Sequence, residues 1–404
     1  MKIIDGGVTA AKGFKANGVH CGIRKNTSKK DLALIVSDIM CTAAAVYTTN
    51  LVKGAPLTVT KSHLENGKAQ AVICNSGNAN TCNANGIEIA EEMCSLAAKQ
   101  TALNAGDIIV ASTGVIGQEL SCESIKNSIG ELAGGLAYGN SLSAAQAIMT
   151  TDTIAKEAAA EFEIGGKICR VGGIAKGSGM IHPNMATMLV FITCDAAISS
   201  DMLNKALKED IKDTFNMVTV DGDTSTNDMV SVMCNGLAQN PEINKDGDDF
   251  NTFKEALNSV TKRLCKMIAK DGEGATKLLI AKVSNAKTKE DAKIAAKSVV
   301  SSSLLKAAMF GADANWGRVL CAIGYSKADV DINKIDVSFT SKKGTLEVCK
   351  NGAGIEFSEE KAKEILLCDE IDVNINLNDG EFYAEAYGCD LTYDYVKING
   401  DYRT

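Results

Sequence analysis

The sequence predicts a mixed α/β (α+β) fold. Through the first two thirds of its 404 residues, strand-like apolar runs alternate with amphipathic helical patterns, and from about Ser284 the texture changes to short alternating strands. Hydrophobic residues at 45% and charged residues at 23% are the proportions of an ordinary globular chain, which sets aside disordered, collagen-like and coiled-coil readings. The length allows two or three domains.

Taken in order, Ala69 to Cys74 reads as a buried strand ended by the turn-rich Asn75–Asn80, and Ile87 to Leu103 has helical spacing. Asp107 to Ala111 is a strand that stops at Ser112-Thr113-Gly114. Ser141 to Glu161 is alanine-rich and predicts a helix; Lys167 to Gly173 and Thr187 to Thr193 predict strands on either side of a glycine-rich segment. Ser199 opens a helix with an acidic first turn. A long helix is expected over Phe250 to Ala269, then a strand over Lys277 to Val283. One helical stretch, Thr288 to Phe310, leads to strands at Ile335–Phe339, Gly344–Cys349, Ile371–Leu377 and Glu381–Leu391. The expected division is an α/β unit over 1–283 and a smaller α+β unit with an antiparallel sheet over 284–404.

Composition narrows the partners. With 50 acidic against 42 basic residues and no basic block, the chain lacks the electrostatic footprint of a nucleic-acid binder. No apolar run approaches the roughly 18 residues of a membrane span, and the opening residues carry no signal-peptide core. The 14 cysteines are scattered from Cys21 to Cys389 without a C-x-x-C pair, so they are expected to be reduced, mostly buried residues of a cytoplasmic protein, with no metal site.

Only three histidines are present. His20 and His63 read as structural. His182 lies in the segment from Gly172 to Leu189, which combines flexible glycines, Lys176, a proline and the small pair Ala186-Thr187 at the head of an apolar strand. A phosphate loop fails here because the lysine precedes its glycines, and a dinucleotide fingerprint fails because Gly177 and Gly179 have no third glycine at the required spacing. A plain loop before a strand and a nucleophile at the head of a strand both fit. In the second reading, cleavage before Thr187 frees an α-amine, which titrates near about pH 7.7 to 8 and serves as the base for its own hydroxyl.

The segment KGSGMIHPNMATML, Lys176 to Leu189, resembles the self-cleavage site of the ornithine acetyltransferase (glutamate N-acetyltransferase) family of arginine biosynthesis. Further marks of that family follow in order: DGGVTAAKGF from Asp5, SGNAN from Ser76, STGVIG from Ser112, AIMTTDT from Ala147, DGDTSTND from Asp221, DGEGATK from Asp271 and GADANWGR from Gly311. The resemblance implies a layered αββα sandwich like that of N-terminal-nucleophile enzymes, and a precursor that cuts itself between Ala186 and Thr187 into an α chain, 1–186, and a β chain, 187–404. Thr187 then carries acetyl from N-acetylornithine to glutamate as an ester, in a ping-pong cycle without a cofactor. Acetyl-CoA is a further donor for some members. The assembly implied is two α and two β chains.

Residue by residue, the resemblance makes Thr113 and Gly114 the oxyanion hole. It makes Thr150, Lys176, Glu273, Asn399 and the terminal Thr404 substrate contacts together with Thr187. Taken alone, Thr113-Gly114 is a strand-ending turn, and Lys176 and Glu273 are solvated loop charges. Asn399 and Thr404 imply a chain end folded back over the site. Asp221–Asp228 lacks the spacing of an EF-hand loop and is assigned to turn structure or to shaping the site; His182 stays outside the catalytic set, and Arg318 reads as structural. A self-processing amidohydrolase or aminopeptidase, with water as acceptor, is the alternative enzyme. A non-catalytic binding protein is the alternative of another class.

Overall fold

The computed structural model describes residues 1–182 and 188–401. Nine described strands form one long sheet: β1 (Lys2–Ile4), β2 (Phe14–Val19), β3 (Leu32–Tyr47), β4 (Lys68–Asn78), β5 (Ile108–Val115), β6 (Lys156–Ile164), β7 (Lys167–Lys176), β8 (Leu189–Cys194) and β9 (Met229–Cys234). The order is β1-β6-β7-β8-β9-β3-β4-β5, with β2 beside β3. β3 belongs to both halves. Its first part pairs with β2 and β4, a register shift falls between Val36 and Cys41, and Thr42–Tyr47 pairs with β9.

The two halves act as the leaves of a sandwich. Because strand side chains alternate, Leu189 and Phe191 of β8 face inward while Val190 and Ile192 face outward. One inner cluster joins Ile35, Val72 and Ile109 of one leaf to Ile174, Phe191 and Met229 of the other. Helix α4 (Ser141–Ile148) closes it with Ala144 and Ile148. On the outer face of the β3-β4-β5 leaf pack α1 (Ala55–His63), α2 (Gly86–Thr101) and α3 (Glu123–Gly134). On the outer face of the other leaf lie α5 (Ser200–Asp210), whose N-terminus is capped by Ser199 accepting from Met202 N, and α6 (Asp248–Lys270). The result is the αββα layering.

A second sheet follows. β10 (Leu278–Ala286) sits between β14 (Glu370–Asn376), to which it is parallel, and β15 (Phe382–Cys389), to which it is antiparallel; β11 (Asp336–Ser341), β12 (Gly344–Lys350) and β13 (Ala353–Gly354) extend it. Leu279, Ala281 and Val283 face α7 (Lys289–Ser301), α8 (Ser303–Phe310) and α9 (Trp316–Gly324), while Leu278 and Ile280 join the α6 cluster. α6 therefore lies between the sheets. The helices α10 (Glu359–Leu366) and α11 (Tyr393–Asp401) complete the chain.

Several expectations need correction. The alanine-rich helix ends at Ile148, and Lys156–Ile164 is a strand held between β1 and β7. Its burial alternates, and pairing on both edges overrides alanine's helix preference. The stretch 288–310 is two helices, because Ser302 is extended and caps α8 through Leu305 N. The second sheet is mixed, since β10 runs parallel to β14. The change of texture at 284 falls inside β10, whose partners lie about ninety residues further on. Strands β1, β2, β3, β9 and β13 lie outside the runs that the sequence pattern singles out.

All cysteines are free, and all but Cys82 and Cys321 are buried. Arg318 donates to Leu304 O at 2.6 Å, joining α8 to α9. Among the described residues no helix is long and apolar enough to cross a membrane.

Candidate active site

The neighbouring ends of β4 and β5 form one wall of a cleft. They run in parallel, with Ser76 opposite Thr113 and Gly77 opposite Gly114. A side chain at Gly114 would have its Cβ 2.3 Å from the Gly77 carbonyl carbon, and its φ of +129° is itself glycine territory. Asn227 pins this wall to the rest of the site. Its amide donates to Ala79 O at 2.6 Å and Ser112 O at 2.9 Å, and its carbonyl oxygen accepts from the Thr81 and Thr226 hydroxyls.

The end of β7 supplies the opposite wall. Lys176 is buried and donates to the Thr113 hydroxyl at 3.3 Å. Burial pushes its amine down from the usual lysine value, and the charges of Asp152 and Asp228 pull it partly back. Asp228 is buried, with Oδ2 lacking a hydrogen-bond partner among the described residues. Burial holds its carboxyl well above the ordinary range, against the opposing pull of a Ser225 hydrogen bond and of Lys176.

A third element, the turn after α6, carries Glu273. Its carboxylate lies against Gly179, where a Cβ would stand 2.4 Å from the carboxyl carbon, and its backbone N–H donates to Ser178 O at 2.9 Å. Asn399 of α11 donates to Glu273 Oε2 at 2.8 Å. The final helix thus folds back over the turn, and Thr392 fastens it through Gly274 O at 2.7 Å.

The cleft brings together Thr113, Gly114, Thr150, Lys176, Glu273 and Asn399, six of the positions singled out in the sequence. Ala186, Thr187 and Thr404 lie outside the described residues. The flanks of that segment are firmly held. On one side Asp221 accepts from Met180 N at 2.6 Å and Ile181 N at 2.9 Å, and Thr224 donates to His182 O at 2.8 Å. On the other, Met188 O accepts from Met229 N at 2.8 Å. Asp221–Asp228 is therefore a clamp that shapes the site, and among the described residues no group of three or more His, Cys, Asp or Glu side chains is placed to hold a metal ion. His182 meets Thr219 at 3.0 Å, and burial, aided by Lys297, pushes its imidazole down to about 4. It is neutral at physiological pH.

Sequence reasoning missed Asp152, Lys156, Asn227 and Asp271 as site residues. Lys156 is fully buried and bridges Asp152 at 2.6 Å and Asp271 at 2.5 Å. Burial raises the Asp152 carboxyl, but Lys156 and Lys176 outweigh it and hold the group well below the ordinary range. Asp152, Asn227 and Asp271 lie inside the segments AIMTTDT, DGDTSTND and DGEGATK, which is the available signal; Lys156 has none.

Comparison with known proteins agrees. Residues 15–404 match the sequence profile of the ArgJ family. The arginine biosynthesis bifunctional protein ArgJ of Caldanaerobacter subterraneus is 49% identical over 100% of both chains. ArgJ 1 of Clostridium acetobutylicum is 50% identical over 98% of this chain and 97% of its own. The crystal structure of the Bacillus halodurans ArgJ protein superposes with a TM-score of 0.50 at 45% identity, covering 52% of this chain and 98% of that one. With the cleft and the ordered segments in place, this chain belongs to the ArgJ family and is an acyltransferase of arginine biosynthesis.

Proposed function

We propose that the chain transfers acetyl from N2-acetylornithine to glutamate through an acetyl ester on Thr187, after cutting itself between Ala186 and Thr187. The observation that carries this is the convergence of Thr113, Gly114, Lys176 and Glu273 on one cleft beside the anchored flanks of the Ala186-Thr187 segment. The amine freed at Thr187 removes the proton from its own hydroxyl, which then attacks the acetyl carbonyl. Thr113 and the Gly114 N–H stabilise the oxyanion. Since lysine only donates, the Thr113 oxygen accepts from Lys176 and its own proton is left for the cleft. Ornithine leaves, glutamate enters, and its amine takes the acetyl group.

Both amino acids present an α-carboxylate and a chain of similar length, so one set of contacts at Thr150, Lys176, Glu273, Asn399 and Thr404 serves both. No cofactor enters these steps. The relatives' name, bifunctional, supports a second activity, for which acetyl-CoA is the proposed donor. The solved Bacillus halodurans chain spans only 52% of this one, whereas the curated relatives align end to end; a precursor cut near its middle yields chains of that size. The working enzyme is proposed as two α and two β chains in the cytoplasm.

Mass spectrometry of purified protein is expected to find residues 1–186 and 187–404 as separate chains, and Thr187→Ala to remain one inactive chain. An intact wild type that still transfers acetyl refutes the free-amine mechanism. Acetate release that glutamate does not redirect into N-acetylglutamate assigns the site to a hydrolase instead.

A further inference from the structure

We propose that Lys156 is a positioning residue for the amino-acid subsite, its ion triad with Asp152 and Asp271 fixing Thr150, Lys176 and Glu273 relative to one another. The inference rests on the acetyltransferase reading of the cleft. It adds a residue that contacts no substrate and sets where three substrate contacts stand.

The Asp152 arm holds Thr150 and the residue after Lys176, and the Asp271 arm reaches Glu273 through Ser178. Asp152 Oδ1 accepts from Lys156 Nζ at 2.6 Å and from Gly177 N at 2.8 Å, which locks the backbone immediately after Lys176. Asp152 Oδ2 accepts from Thr150 N at 2.9 Å. Asp271 takes the same ammonium at 2.5 Å and holds Thr153 N at 3.1 Å. Its own carbonyl accepts from the Ser178 hydroxyl at 2.6 Å, and Ser178 O accepts from Glu273 N. The loops at 150–153, 176–178 and 271–273 therefore form a closed ring with Lys156 at its centre.

A purely stabilising purpose is a weak explanation. Lys156 pairs with Ala175 in the register of β6 and β7, and the neighbouring Ala158 and Ala160 pack into the α6 cluster. A buried ion pair at such a place is often no better for stability than an apolar residue of similar volume. What a charged centre adds is direction: it aims two carboxylates, whose remaining lone pairs aim backbone amides. Asp152 and Lys156 precede the Ala186-Thr187 bond and Asp271 follows it, so the same ammonium keeps the α-chain and β-chain halves of the subsite in register after cleavage.

Steady-state kinetics of Lys156→Met and Asp271→Asn test this against wild type. Lys156→Met is expected to raise KM for both N-acetylornithine and glutamate by about tenfold or more with kcat changed less than about threefold, the signature of lost ground-state and transition-state binding alike. Asp271→Asn keeps the shape and the Thr153 contact, so a smaller rise of about threefold is expected. A folded Lys156→Met enzyme with wild-type KM, or one whose kcat falls while KM stays, overturns the proposal. Should Lys156→Met not fold, Asp271→Asn decides, and unchanged KM values there overturn it. A wild type without acetyl transfer sinks the acetyltransferase reading separately; the positioning role is then read from the rise in melting temperature caused by ornithine, which the variants must lose. Equal rises in wild type and variants overturn it, and no rise in wild type ends both ideas.

Discussion

Lys176 donates to the Thr113 hydroxyl across 3.3 Å, joining the end of β7 to the end of β5. The contact couples a group expected to bind substrate to one expected to stabilise the oxyanion. Thr113→Val, which keeps the shape and removes the hydroxyl, is expected to lower kcat by about 10² to 10³ with little change in KM, while Thr113→Ser keeps most of the activity. Adding Lys176→Met to Thr113→Val is expected to cost less in kcat than Lys176→Met alone, measured as a double-mutant cycle.

Gly179 and Gly114 are expected to fail in different ways. An alanine at 179 meets the movable end of Glu273 at 2.4 Å, so the fold survives, the carboxylate shifts and KM rises by about tenfold. An alanine at 114 meets backbone at 2.3 Å with a φ of +129°, where neither partner yields. It is expected to cost about 2 to 4 kcal/mol in a urea titration, the sum of strain and overpacking.

Removing residues 393–404 separates binding from stability. α11 leaves Tyr393 83% and Val396 68% exposed, so its burial contributes little to the core. The shortened chain is expected to melt within about 5 °C of the full one, in line with a loss near 1 kcal/mol, and to lose nearly all acetyl transfer. Asn399→Ala, which deletes the 2.8 Å bond to Glu273 and a 3.0 Å bond to Tyr395 O within the same helix, is expected to raise KM.

Asp210, which does not line the cleft, gives a pH signature. It is buried and bonded to Asn258 and Thr214, and burial pushes its carboxyl up from 3.8 to about 6 despite those bonds. The folded protein then binds more protons than the unfolded chain between those values. Stability falls as pH rises from about 4 to about 6, by at most about 3 kcal/mol at 1.36 kcal/mol per unit. Asp210→Asn is expected to flatten that part of the profile and to melt higher than wild type at pH 7.5, as calorimetry across pH can check.

How much of this could be read from the chain depends on the range of each interaction. The runs at Ala69, Ile108 and Leu189 announce buried strands because both faces are covered. Lys156–Ile164 hides its strand behind alanines, and β3 conceals its double membership because its partners, β2 and β4 at one end and β9 at the other, are known only from the folded sheet. At the site, Thr150, Lys176 and Glu273 stood in recognisable segments, and the structure gathers them. The lysine that ties them together did not, since its bond to Asp271 spans 115 positions and leaves no periodicity.

β7 and β8 are interior neighbours in their leaf, with Lys176 opposite Leu189 and β9 on the far side of β8. A cut in the connection between them exchanges one hairpin for two strands of separate molecules without creating a sheet edge. Fragments from such a cut are expected to stay interleaved in native buffer and to come apart only when the whole leaf does. Once apart, they have lost the tether that brought the strands together, and reassembly becomes a slow encounter that depends on concentration. If the chain is cut there as proposed, its durability is set by how fast it opens, and a scan through its melting transition is expected not to retrace itself on cooling.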